Sequence, residues 1–161
     1  MKKLLALILV FTCLLGLTAC GGEKLEEPPE LRIVADDGSV TASKGTYSWG
    51  YDNGLNWTGI EACGLHPLDC KDFVETLPTD DGEVRLEFDV APHSVDAVKC
   101  WSDEHWGNTD AQSETVGLLA VNDTLNVSLK PGGWVYLVKA EWESTDYSGD
   151  CRYIFHVVCP E

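Results

Sequence analysis

The side chains with most scope for chemistry in this chain are its cysteines, its four histidines and two tryptophans set in polar surroundings. Beyond the N-terminal region stand Cys63, Cys70, Cys100, Cys151 and Cys159, an odd number that in an oxidising compartment implies two disulfides and one thiol. No two of them are spaced C-x2-C and the histidines are scattered, so the pattern argues against a structural zinc site. A hydrolase would need one of His66, His93, His105 or His156 beside a nucleophile and an orienting carboxylate. None of the local signatures G-x-S-x-G, H-E-x-x-H or S-x-x-K occurs. Asp103-Glu104-His105 is a poor cation site because three consecutive side chains do not converge on one ion, and Tyr51 to Asn56 lacks the alternating carboxylates of a calcium loop. The sequence therefore calls for no metal and no cofactor. Trp57 and Trp106 lie in turn-rich stretches that a core does not obviously require, and an indole, with its apolar body and N–H handle, suits a sugar ring, a peptide or a protein surface.

The N-terminal region carries a different chemistry. Met1-Lys2-Lys3 is a positive start, and Leu4 to Leu17 is an apolar run of the length of a secretory signal core, short of a spanning helix. Leu17-Thr18-Ala19-Cys20 closes it and resembles the lipobox of a bacterial lipoprotein precursor. That resemblance implies removal of residues 1–19, lipidation of Cys20, and a domain attached through its N-terminal lipid to the outer face of the cell membrane. Two or more acyl chains hold such an attachment stably. Residues 20–30, GGEKLEEPPE after the cysteine, are polar with glycine and proline, and read as a flexible tether.

The remaining residues, 31–161, suit one domain with a sizeable core. Loss of Lys2 and Lys3 takes the formal charge from −16 to −18. Such a surface repels phosphate backbones, so nucleic acid is excluded as a partner.

Those residues read as short strands separated by turn signals, with no helical stripe. Val84, Leu86, Phe88 and Val90 alternate with Arg85, Glu87 and Asp89, the pattern of a half-buried strand. Leu31 to Ala35 and Ser39 to Ser43 flank the turn Asp36-Asp37-Gly38, and Ser94 to Ser102 forms a further strand. Leu125 to Leu129 alternates and stops at Lys130-Pro131-Gly132-Gly133. Trp134 to Trp142 and Cys151 to Val158 then make a hairpin with a long loop from Glu143 to Asp150, leaving His156 partly exposed beside Arg152 and Ile154. The expected fold is all-β, an antiparallel sandwich of the immunoglobulin or fibronectin type. Within it, Cys63 and Cys70 are close enough to bond locally, and Cys100 pairs with Cys151 or, alternatively, Cys159; Cys151 and Cys159 bracket one strand and cannot meet.

Gly45-Thr46-Tyr47-Ser48-Trp49, a glycine-bearing turn, Cys63, the Leu129-Lys130-Pro131-Gly132 corner and the closing aromatic hairpin are together similar to a group of small uncharacterised lipoproteins of Gram-positive bacteria. The resemblance implies an immunoglobulin-like sandwich on a lipid anchor and lends no catalytic residues. Members usually have a cysteine where Ser48 stands, paired with the counterpart of Cys63; here Cys70 offers the replacement. The function expected is non-enzymatic binding of a protein or carbohydrate at the cell envelope, through loops around 49–70 and 101–113 that carry Trp57 and Trp106. The rivals are an envelope hydrolase using His105 or His66 with a neighbouring Asp, and a purely structural surface domain.

Overall fold

The structure is a computed structural model that describes residues 25–121 and 124–160, with the backbone alone at Val121. Its strands are β1 (Leu31–Val34), β2 (Ser39–Thr41), β3 (Ser43–Asp52), β4 (Trp57–Ala62), β5 (Thr76–Pro78), β6 (Glu83–Phe88), β7 (Ser94–Val95), β8 (Val98–Ser102), β9 (Glu114–Val116), β10 (Leu118–Val121), β11 (Thr124–Ser128), β12 (Gly132–Glu143) and β13 (Tyr147–Cys159). Two 3₁₀ turns, Pro67–Asp69 and Asp103–His105, interrupt the connections. No α-helix occurs among the described residues.

The strands form two sheets, one ordered β10-β11-β6-β1-β2 and the other β4-β3-β13-β12-β8-β9, with β5 added to β13 and β7 to β12. All pairings are antiparallel except β5 with β13. Taking β1, β6, β8, β10, β11, β12 and β13 as strands A to G gives D-E-B-A on one sheet and G-F-C on the other, the immunoglobulin arrangement. The hairpin β3–β4 and the segment through β5 are an insertion between A and B. At the Lys130-Pro131 corner Tyr136 folds back so that its hydroxyl accepts the amide of Lys130 at 3.1 Å. Burial pushes the Tyr136 phenol up, keeping it protonated in that bond.

Period-two alternation builds the core. Tyr136, Val138, Ala140 and Trp142 of β12 and Tyr153, Phe155 and Val157 of β13 turn inward onto Leu31, Ile33, Val84, Leu86 and Val127 of the smaller sheet. Tyr136 stacks on Phe155 with centroids 5.1 Å apart, and Trp49 meets Trp142 edge-on at 5.7 Å.

Three expectations are corrected. The β12–β13 connection is a tight turn closed by a Ser144 amide to Tyr147 carbonyl bond, because the strands keep pairing up to Glu143 and Ser148. The stretch assigned to the tether is docked from Leu25 onward. Trp49 donates its indole N–H to the Leu25 carbonyl at 2.8 Å, Tyr153 donates to the Pro29 carbonyl at 2.6 Å, and Lys44 pairs with Glu30 at 2.7 Å. Burial works against the Lys44 ammonium, but Glu30 and Glu27 outweigh it and raise its pKa. The third correction concerns the disulfides: Cys63, Cys70, Cys100, Cys151 and Cys159 are all free thiols. Cys100 lies opposite Tyr136 and Cys151 opposite Ala140, on strands either side of β12. Two strand spacings and a four-residue offset put them about 16 Å apart, against the roughly 7 Å a bridge tolerates. Cys159 lies opposite Gly132, offset the other way by as much. Cys70 is buried and donates its thiol to the His66 carbonyl, while Cys63 is exposed. Residues 1–19, expected to be removed, and Cys20, expected to be lipidated, lie outside the described residues.

Candidate functional site

The outward face of the larger sheet carries the features that the core does not need. Leu137, Lys139 and Glu141 of β12, Asp150, Arg152, Ile154 and His156 of β13, and Lys99 and Trp101 of β8 point away from the smaller sheet, following the same alternation that fills the core. At one end this face is covered by a second, smaller core, in which Leu68, Cys70, Trp101, Val135 and Ile154 are buried and Val74, Trp106, Ala111 and Leu137 pack against them. The covering pieces are the two 3₁₀ turns and the loops after them. Each turn is capped by the preceding side chain: His66 Nδ1 accepts the Leu68 amide at 3.2 Å, and Ser102 Oγ accepts the Glu104 amide at 3.4 Å.

Beneath that cover, Asp103, His156 and Thr76 form a hydrogen-bonded line. His156 Nε2 lies 3.2 Å from Asp103 Oδ2 and its Nδ1 lies 2.9 Å from Thr76 Oγ1. A carboxylate accepts, so Nε2 bears a proton, and in the neutral ring Nδ1 then accepts the Thr76 hydroxyl. Asp103 reaches His156 by passing over β12 at Gly133, where a Cβ would stand 1.9 Å from its Oδ2. Any side chain at that position would block the carboxylate. Trp106 closes the group by meeting the imidazole edge-on, with centroids 5.5 Å apart. His156, expected to be partly exposed, is buried. The line ties the 3₁₀ turn after β8 to β13 and β5, and none of its three members lines the neighbouring cleft.

That cleft, about 960 Å³, opens where the covering loops stop. Its floor is Lys99, Trp101, Leu137, Lys139, Arg152 and Ile154; Gly64 to Pro67 form one wall and Asp96-Ala97 the other. Lys139 and Arg152 face each other directly across β12 and β13, and Lys99 lies diagonally beside them, opposite Leu137. Like charges placed opposite each other on one face of a sheet destabilise it. Lys139 is held by a hydrogen bond to Glu141, with Asp96 at 3.9 Å; the Glu141 bond above all raises the Lys139 pKa, and the same bond with the Lys139 charge lowers that of Glu141. Among the described residues neither Lys99 nor Arg152 has a carboxylate in ion-pair range. Three of the nine basic residues that follow Cys20 thus meet over an apolar strip, in a chain whose surface is otherwise acidic.

The structure separates the two tryptophans proposed from sequence. Trp57, 54 % exposed, opens β4 opposite Asp52, while Trp106 is half-buried against His156 near the far end of β13. About ten residues of strand, roughly 30 Å, divide them. His66 caps a turn and forms part of the cleft wall, and His105 is exposed in its own turn. No group of three His, Cys, Asp or Glu residues gathers closely enough to hold a metal ion among the described residues. Sequence reasoning missed Lys99, Lys139 and Arg152. The available signal was their strand parity: Lys139 and Arg152 sit out of phase with the apolar series of their strands, so both had to lie on the outward face.

No family model, curated protein or solved structure matches this chain.

Proposed function

We propose that the chain is a lipid-anchored, extracytoplasmic binding module without catalytic activity, attached through Cys20 to the outer face of the cell membrane, and that it takes an anionic ligand in the cleft over β8, β12 and β13. The observation that carries this reading is the cross-strand pair Lys139 and Arg152, with Lys99 beside it, on a domain of strongly negative formal charge. Glu141 and Asp96 offset the charge of Lys139, but Lys99 and Arg152 have no carboxylate in ion-pair range among the described residues, and a carboxylate or phosphate placed between the side chains would relieve their repulsion and accept several charge-assisted hydrogen bonds. The apolar strip of Leu137 and Ile154 alongside suits the body of such a ligand, and the open shape of the cleft accepts part of a longer chain.

Calorimetric titration with a uronic-acid oligosaccharide, a polyol-phosphate oligomer and a neutral oligosaccharide tests the reading and separates the two sources of negative charge. Saturable binding of a charged probe is expected, weakened by salt and lost in Arg152→Glu, with no binding of the neutral sugar. Absence of binding to both charged probes, or binding indifferent to Arg152→Glu, would refute the cleft as the site. Lipidation is read separately from the N-terminal mass of the membrane-extracted protein and its loss in Cys20→Ala.

A further inference from the structure

The end of the sandwich opposite the satellite core carries a second unexplained feature. The β3–β4 hairpin tip presents Leu55, 90 % exposed, with Trp57 two residues on. Its turn is firmly held. Asp52 Oδ1 accepts the Gly54 amide at 2.8 Å, Asn53 Oδ1 accepts the amides of Leu55 and Asn56 at 2.9 Å each, and Asn53 Nδ2 donates to Thr58 Oγ1 at 2.9 Å. Trp57 packs over Gly50, where a Cβ would come within 2.5 Å of the indole nitrogen, and about half of the residue stays exposed. A second tip is joined to the first by the Asp52 amide to Asp146 carbonyl bond, at 2.8 Å.

The course of the N-terminal segment says what this end faces. Glu30 and Glu27 lie at Lys44, near the start of β3, and Pro29 at Tyr153, whereas Leu25 lies at Trp49. Followed backward, the chain therefore runs along β3 toward the hairpin tip. Trp49 is three residues from the end of β3, about 10 Å, and the five residues from Leu25 back to Cys20 reach at most about 18 Å. With residues 25–30 docked and running toward the tips, a lipid on Cys20 has the reach to bring the hairpin end of the domain against the bilayer.

We propose that the β3–β4 tip is a membrane-contact surface, in which Leu55 enters the interfacial region of the bilayer and Trp57 lies at headgroup level, so that the domain stands on the membrane in a fixed orientation. An indole is suited to that depth, with its apolar body toward the acyl chains and its N–H toward water. Asp52, Glu61, Glu143 and Asp146 surround the tip or the sheet edge beside it, so attraction to anionic headgroups does not drive the contact. The surface engages an uncharged lipid interface, and negative lipid weakens it. The contact leaves the cation-floored cleft on the side of the domain, open to ligands from outside. This inference rests on the anchor at Cys20.

The test uses the full-length lipidated protein in vesicles of zwitterionic lipid brominated along the acyl chain. Bromine should quench part of the tryptophan fluorescence in the parent protein. That part should vanish in Trp57→Phe and fall at least twofold in Leu55→Ser, with far-UV circular dichroism unchanged in both, and replacing a third of the lipid by an anionic species should reduce it. A Cys20 shown by mass to be unmodified would overturn the anchor and this inference together. A lipidated protein whose quenching is the same in Trp57→Phe, or whose Trp57 stays open to aqueous iodide, would overturn the membrane-contact surface alone.

Discussion

The two faces of the larger sheet are made by the same strands yet obey different rules. The inward face of β12 and β13 is a continuous apolar surface in which Tyr136, Val138, Tyr153 and Phe155 are buried, and among the described residues every buried side-chain nitrogen and oxygen is hydrogen-bonded. The outward face changes along its length, from the apolar patch under the 3₁₀ turns, through Lys99, Lys139 and Arg152, to Glu141 and Asp150. A face that must pack against another sheet has one solution, apolar at every second residue. A face closed by loops in one place and open in another is free to carry charge where the loops stop, and there the cleft forms.

Substitution on the inward face should be the most damaging way to probe that contrast. Phe155→Ala is expected to cost about 3–5 kcal/mol, because Phe155 is stacked on Tyr136 in a core that cannot collapse around the void. Chemical denaturation would measure it, and a cost below about 1 kcal/mol would mean that this face is as plastic as the other.

Thiol titration probes the inward face next. Burial raises Cys100 to about 11 and Cys151 to about 12, from 9.0 for a free thiol. Both remain protonated in the fold at pH values where the unfolded chain has lost those protons, so the unfolded state binds fewer protons and gains on the native state as pH rises. Their contribution is complete below pH 9 and is lost progressively from about 9 to about 12. Denaturation midpoints measured across that window should fall, and should fall less steeply in Cys151→Ala. An unchanged slope in the variant would remove the inward thiol as a cause.

A smaller effect is expected on the outward face. Gly133→Ala forces Asp103 away from His156 and should cost about 1–3 kcal/mol by overpacking and loss of a charge-assisted bond. In an Asp103→Ala background the same change should cost less, since the obstructing carboxylate is gone. Equal costs in the two backgrounds would show that the Asp103–His156–Thr76 line contributes nothing to holding the covering turn.

Much of the inward face was legible in the sequence, because alternation over β6, β11, β12 and β13 is a local property of each strand. The cysteines were not, since Cys100 and Cys151 share a face and a sheet but differ by four residues in register, a quantity set by the pairing of both strands with β12. Nor was the docking of residues 25–30: their prolines and charges read as part of a tether, but the backbone carbonyls of Leu25 and Pro29, which any sequence would supply, are what Trp49 and Tyr153 bind.

The sequence by itself determined the class of fold, the two-faced character of its strands, and the acidity that makes a cluster of cations conspicuous. Only the tertiary structure decided which cations meet, that Asp103, Thr76 and His156 join across 53 and 80 residues of separation, and that the N-terminal segment runs toward the hairpin tips. The division has one physical reason. Whether a side chain points inward or outward depends on its neighbours along the chain, whereas which outward side chains become neighbours depends on strand order and register, and these are fixed by the packing of the whole domain.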